Sequence, residues 1–176
     1  MKKDNPQVKQ EENITEPNVH LIVFKLGGEE YGIRIEQVKE VTITPDIARM
    51  PKTPDFIKGV ANIRGDIIAI MDLEGRFRIA PSEPNINSRQ TYTLVIETDN
   101  YNMGILVREV PQSLTVGVSK IDKTPGLIQE VNVHENFIDG IAKVGSRLII
   151  VLDIRKILTL EETEILAATT NTNAVS

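Results

Sequence analysis

The sequence predicts an all-β fold with short helices, in which two small β-barrels pack against each other and a C-terminal helix covers a seam. Three observations lead there. Short apolar runs rich in Val and Ile alternate with turn signals through the middle of the chain, which favours strands over helices. A stretch of the first half recurs without gaps in the second. Aromatic residues make up only 4% of the 176 residues and Trp is absent, so extended aliphatic faces must do the packing.

The elements follow in order. Residues 1–18 are rich in Asn, Gln, Lys and Glu and read as a disordered tail without the apolar run of a secretory signal. Val19 to Leu26 is the first strand, Gly27-Gly28-Glu29-Glu30 a hairpin turn, and Tyr31 to Ile35 the returning strand, with Tyr31, Ile33 and Ile35 alternating against Gly32, Arg34 and Glu36. From Ile35 the spacing Ile35, Val38, Val41 shifts toward one short helix, before Pro45, Pro51 and Pro54 force extended backbone. Gly59 to Ile63, a turn at Arg64-Gly65-Asp66, and Ile67 to Met71 form the next pair of strands. The polar residues 80–89 contain Pro81, Pro84 and Asn85 and read as a linker, dividing a folded unit of 19–162 into a first barrel half of about 19–79 and a second of about 90–162. A final helix starting at Asp153 carries Ile154, Ile157, Leu158, Ile165 and Leu166 on one face, and residues 163–176 are its end and a second tail.

The repeat determines the architecture. Phe56-Ile57-Lys58-Gly59-Val60-Ala61 aligns with Phe137-Ile138-Asp139-Gly140-Ile141-Ala142, and Ile67 to Leu73 with Leu148 to Ile154, so that Asp72 answers Asp153. Upstream, the hairpin His20 to Ile35 has a weaker counterpart in Thr91 to Val107, with Glu97-Thr98-Asp99-Asn100 as its turn and Gly104 answering Gly32. Each half is too small to bury a comfortable core alone, so the halves must pack together and leave a groove along their seam.

Composition removes several function classes. A formal charge of −5 and a pI near 5.2 leave little room for a phosphate-neutralising surface, so nucleic acid is not expected as a partner. There are no cysteines, which removes disulfides and thiolate metal sites and suits a reducing cytoplasm. No apolar stretch approaches the roughly 20 residues needed to insert across a bilayer.

The search for chemistry finds no phosphate-binding glycine loop, metal-binding histidine pair, nucleophile elbow or dinucleotide fingerprint, and no cofactor or metal is expected. His20 and His134 read as incidental. Asp72 and Asp153 admit two readings, a carboxylate pair for acid–base work or backbone caps where a strand ends, and recurrence in both halves suits caps. Gly59 and Gly140 suit a tight bend or a close backbone approach. Positions that differ between the copies are the better functional candidates: Asn62-Ile63-Arg64-Gly65-Asp66 stands against Lys143-Val144-Gly145-Ser146-Arg147, so only the first half offers a long cationic fork, Arg64, at its turn. On pattern alone Arg64 reads equally well as a solvated turn residue.

Phe24 to Ile35, Val38-Lys39-Glu40-Val41, Met50 to Val60, Asn62-Ile63-Arg64-Gly65 and Ile70-Met71-Asp72-Leu73 resemble, in order and spacing, the CheW family of chemotaxis coupling proteins over about residues 19 to 160. The resemblance implies two five-stranded SH3-like barrels and a non-catalytic cytoplasmic adaptor, recruited to receptor arrays, that joins the cytoplasmic tip of methyl-accepting chemotaxis receptors to the regulatory domain of the CheA histidine kinase. It carries receptor binding onto Val38, Glu40, Arg64 and Val110, and kinase binding onto the surroundings of Gly59 and Gly65. The sequence departs from the family in the second half. Where the family has Val-Asp-x-Val, this chain reads Val107-Arg108-Glu109-Val110-Pro111, and a Pro there requires the strand to end or lie at an edge. The rivals are a small-barrel enzyme using Asp72 and Asp153, a coupling protein for a kinase pathway other than motility, a small-barrel nucleic-acid binder, and a coupling protein with a receiver domain, for which no sequence remains.

Overall fold

The structure is a computed structural model that describes residues 16–80, 90–123, 137–159 and 161–165. The expected tails up to residue 15 and from residue 166, the linker from 81 to 89, and His134 lie outside the described residues.

In chain order the strands are β1 (Asn18–Leu26), β2 (Glu29–Arg34), β3 (Val38–Ile43), β4 (Ile57–Ile63) and β5 (Asp66–Met71), followed by the short helix α1 (Leu73–Phe77). Then come β6 (Tyr92–Glu97), β7 (Asn102–Val107), β8 (Gln112–Gly117), β9 (Ile121–Asp122), β10 (Ile138–Val144) and β11 (Arg147–Leu152). The expected hairpins form where the turn residues demand them. Gly27 and Gly28 have φ of 58° and 86°, Arg64 and Gly65 of 52° and 90°, as a two-residue turn matching the strand twist requires. Between β6 and β7 the Thr98 hydroxyl oxygen accepts from the Tyr101 N–H at 3.1 Å.

The helix expected after Ile35 is a correction. Only Ile35–Gln37 turn, as a 3-10 helix, and Val38 and Val41 lie on strand β3, paired to β6. Val38, Val41, Thr42 and Ile43 are all β-branched, and so short a helix has too few internal bonds to outbid a ladder with β6. The alternation read along β2 accordingly stops at Ile33, and Ile35 is exposed.

Among the described residues eleven strands make two sheets, a six-stranded one in the order β8-β1-β2-β11-β10-β9 and a five-stranded one in the order β3-β6-β7-β5-β4. Each sheet therefore takes strands from both halves of the sequence. The first hairpin, β1–β2, pairs with β8 and, in parallel, with β11; its counterpart β6–β7 pairs with β3 and, in parallel, with β5. The halves of the sequence are thus not the two barrels, since they exchange their hairpins. Each hairpin has two open edges, and the other half satisfies both. Ala48, downstream of β3, bridges back to Val60 on β4 and draws the ends of the five-stranded sheet together; β9, downstream of β8, does the same through β10 in the other sheet.

The exchange explains why β1 carries apolar residues on both faces. Val19, Leu21 and Val23 face a core made only of the six-stranded sheet, with Val116, Ile149 and Val151. Ile22, Phe24 and Leu26 point the other way, into the largest core, which also holds Leu94, Ile96, Met103 and Ile105 from the five-stranded sheet. A strand buried on both faces loses its polar alternation. Ala61, Ile63, Ile68, Ile70 and Val95 fill a third core within the five-stranded sheet.

Two ion pairs tie β2 to the other half. Arg147 reaches Glu30 with both Nε at 3.0 Å and an NH2 nitrogen at 2.6 Å, and Arg34 reaches Asp139 at 2.9 Å. The hydrogen bonds from Arg147 hold the Glu30 carboxyl below its ordinary value.

The repeat is visible in the backbone. A bulge lies between Ile57 and Gly59 and another between Ile138 and Gly140, and the Asp72 and Asp153 N–H groups donate to Phe56 and Phe137 at 2.8 and 2.9 Å. The C-terminal helix differs from its expected form. From Asp153 it is only a 3-10 turn, Ile154–Lys156, and a new helical stretch, 161–165, follows. Thr159 starts it: its hydroxyl accepts from the Glu162 N–H at 3.2 Å while Glu162 accepts from the Thr159 N–H at 2.8 Å, a reciprocal cap that Thr-x-x-Glu announces in the sequence. Ile157 and Leu158, between the two pieces, are buried as expected.

Candidate functional site

Three of the four residues expected at the receptor surface gather on the five-stranded sheet. Val38 opens β3 just after the chain crosses from one sheet to the other, and Glu40 lies two residues on. Arg64 sits on the β4–β5 turn, far along the sheet order from β3. The curl of the sheet brings them together, and Arg64 Nε meets Glu40 Oε2 at 2.7 Å. The Arg64 side chain is 81% exposed and that of Glu40 19% exposed, so the carboxylate anchors a guanidinium held out in solvent. An exposed pair of this kind contributes little stability.

The backbone at Arg64 sharpens the asymmetry between the copies. Arg64 has φ 52°, and Gly145 occupies the same turn position in the second half with φ 61°. A left-handed conformation is natural for Gly and costs a long side chain about 1 kcal/mol. Asn62 helps to hold the turn, its Oδ1 accepting from the Gly65 N–H at 2.9 Å.

Val110 lies elsewhere. Strand β7 ends at Val107, ahead of Pro111 as the sequence requires, and Val110 stands in the crossover from β7 in one sheet to β8 in the other. It is the counterpart of the crossover that leads into Val38, and at 62% it is more exposed than the other large apolar side chains noted on the surface.

The two glycines expected at the kinase surface have different roles. Gly59 sits in the β4 bulge with φ 143°, and a Cβ there would fall on the Ala48 carbonyl oxygen, within the bridge that closes the barrel. Gly65 has φ 90° with open space around it. Gly59→Ala is expected to cost about 2 to 3 kcal/mol of stability and Gly65→Ala about 1 kcal/mol, from left-handed strain plus, at Gly59 alone, the collision. Urea denaturation of both variants checks this; equal losses would remove the distinction.

Asp72 and Asp153 are caps. Asp72 Oδ1 accepts from the Glu74 N–H at 3.0 Å and Asp153 Oδ1 from the Arg155 N–H at 3.1 Å. Burial alone would raise the Asp153 pKa, but hydrogen bonds from Arg155 and the charges of Arg155 and Lys156 outweigh it and hold the carboxyl below its ordinary value. His20 is an exposed β1 residue whose Nδ1 lies 3.0 Å from the Thr115 hydroxyl. Among the described residues no group of His, Asp or Glu is placed to hold a metal ion, and no helix is long and apolar enough to cross a membrane.

Comparison with known proteins identifies the family. The model of the CheW-like domain matches residues 20–162. The chain belongs to the CheW family. It is 34% identical over 142 residues to the chemotaxis protein CheW of Klebsiella aerogenes, covering 80% of this chain and 82% of that one. It is 28% identical to the chemotaxis protein CheW of Treponema pallidum, covering 88% and 90%. The crystal structure of the scaffolding protein TtCheW from Thermoanaerobacter tengcongensis superposes with a TM-score of 0.72 at 27% identity, covering 88% of this chain and 96% of that one. The two sheets are thus the paired SH3-like barrels of a CheW fold.

The departure from the family's Val-Asp-x-Val has a partner in the structure. Arg108 Nε meets Glu74 Oε2 at 3.0 Å, and the Glu74 side chain is only 5% exposed. An Asp at position 108 would bring a like charge toward the buried Glu74 carboxylate, whereas Arg108 pairs with it. Sequence reasoning missed Glu74, which reads as an ordinary acid in the first turn of a helix. It also missed Arg76, whose guanidinium lies 5.0 Å from the Phe56 ring and 5.1 Å from the Phe137 ring, between the two equivalent residues of the repeat. The repeat named both Phe, but nothing local pointed to the Arg between them.

Proposed function

We propose that this CheW-family chain is a non-catalytic adaptor that couples methyl-accepting chemotaxis receptors to the CheA histidine kinase at the inner face of the membrane. The observation that carries the reading is Arg64. A long cation stands in a left-handed turn where the repeat has Gly145, braced by Glu40 yet with its guanidinium exposed, as a residue that meets a partner would be. The curated relatives are named as chemotaxis proteins and the structural neighbour as a scaffolding protein, in keeping with this role. The cap role of Asp72 and Asp153, each accepting from a backbone N–H, favours the adaptor over the enzyme reading.

In this reading the receptor tip, a helical hairpin, lies against the crossovers between the barrels and touches Val38, Glu40, Arg64 and Val110. The kinase regulatory domain meets the end of the five-stranded barrel near Gly65, with Gly59 shaping that end from within. The adaptor moves no bonds; by holding both partners it lets a change in the receptor bias the kinase.

Arg64→Ala is expected to weaken binding of a receptor-tip fragment about tenfold or more in calorimetry, with an unchanged denaturation midpoint. Unchanged tip affinity would sink the assignment. A pull-down with the CheA regulatory domain and the tip fragment, separately and together, tests the adaptor role itself, and binding to neither overturns it. Loss of swimming bias on deletion separates motility from another kinase pathway.

A further inference from the structure

We infer that Glu74, a buried residue of α1, is a positioning residue for the β7–β8 crossover and sets where Val110 stands on the receptor surface. The inference rests on the adaptor reading and deepens it. Glu74 is 4% exposed and touches three elements at once. It belongs to the first turn of α1, its Oε1 accepts from the Gly27 N–H of the β1–β2 turn at 3.3 Å, and its Oε2 accepts from Arg108 Nε at 3.0 Å. Arg108 is the first residue of the crossover, two before Val110.

The crossover has few other fixings. Pro111 has no N–H to give, and Glu109 meets Lys25 only at 3.9 Å with both side chains more than half exposed. The Arg108–Glu74 bond is different in kind, because one partner is buried and a charge-assisted hydrogen bond is strongest where water is excluded. It fastens the start of a four-residue connection to a helix that is itself capped by Asp72. Val110 is thereby presented from a held backbone instead of a loose one, which lowers the ordering cost when an apolar partner surface covers it.

The experiment is a double-mutant cycle on binding of a receptor-tip fragment, with the methyl resonances of Val110 followed by NMR. Arg108→Ala is expected to weaken binding about fivefold to tenfold and Val110→Ala by a similar factor, while the double variant is no weaker than Val110→Ala alone, because Arg108 acts through Val110. Arg108→Lys, which keeps the charge, is expected to stay within about threefold of wild type. The Val110 methyl shifts should move toward unstructured values in Arg108→Ala and in Glu74→Gln, with the signals of residues around Arg64 unchanged. The Arg108 variants change no residue of α1, so misfolding of a Glu74 variant does not obstruct the test.

Independent, additive losses from Arg108→Ala and Val110→Ala would overturn the inference, as would wild-type affinity in either single variant. Arg64→Ala reports separately on the adaptor reading: if it loses affinity while the Arg108 and Val110 variants do not, the reading stands and this inference falls. If wild type fails to bind the fragment, both fall.

Discussion

Fragments 16–80 and 90–165, produced separately, are expected to be unfolded alone and to fold on mixing. Alone, the first fragment would hold β1–β2 without β8 and β11, and β3 and β5 without β6 and β7. It would expose four unpaired strand edges and leave the largest core without Leu94, Ile96, Met103 and Ile105. A chain of that size has little margin to absorb such losses. Circular dichroism and cooperative urea unfolding of each fragment and of the equimolar mixture check the expectation. A cooperative transition in either fragment alone would contradict the exchange of hairpins.

Phe77→Ala is expected to cost about 3 to 5 kcal/mol. Phe77 is 7% exposed, with ring centroids 6.3 Å from Tyr31 and 5.7 Å from Phe137, and Tyr31 lies 6.5 Å from Phe24. The stack joins residues of the first half to Phe137 of the second, through the core that both sheets share. Its removal leaves a cavity where neither sheet collapses freely, because each is held by its own ladder. Chemical denaturation measures the loss against a total stability of about 5 to 15 kcal/mol for a domain of ordinary size. A cost below about 1 kcal/mol would show that the stack is dispensable.

Local chemistry made much of this legible. Gly27-Gly28 and Gly65 mark their hairpins because few other residues accept left-handed turns, and Asp72 and Asp153 mark helix starts because a short carboxylate reaches a free N–H. Thr159 and Glu162 carried an equally plain signal that competed with a longer apolar pattern from Ile154 to Leu166. The helix expected after Ile35 failed for a different reason, since a spacing of three fits a helical turn as well as a curved edge strand until the partner strand is known.

Of the site, the sequence marked Arg64 by contrast with Gly145, and the resemblance added Val38, Glu40 and Val110. That Glu40 holds Arg64, and that Glu74 holds Arg108, are facts about residues distant in the chain.

What the sequence determined by itself is the hairpins with their turns, the caps and the doubling, because each rests on interactions among neighbours a few residues apart or on direct repetition. Which half completes which sheet was decided only in three dimensions. A duplicated chain presents every hairpin with two nearly equivalent sets of edges, its own and its copy's, and the choice falls to packing over the whole core, as in the reach of Arg147 to Glu30 and the stack of Phe77 on Phe137.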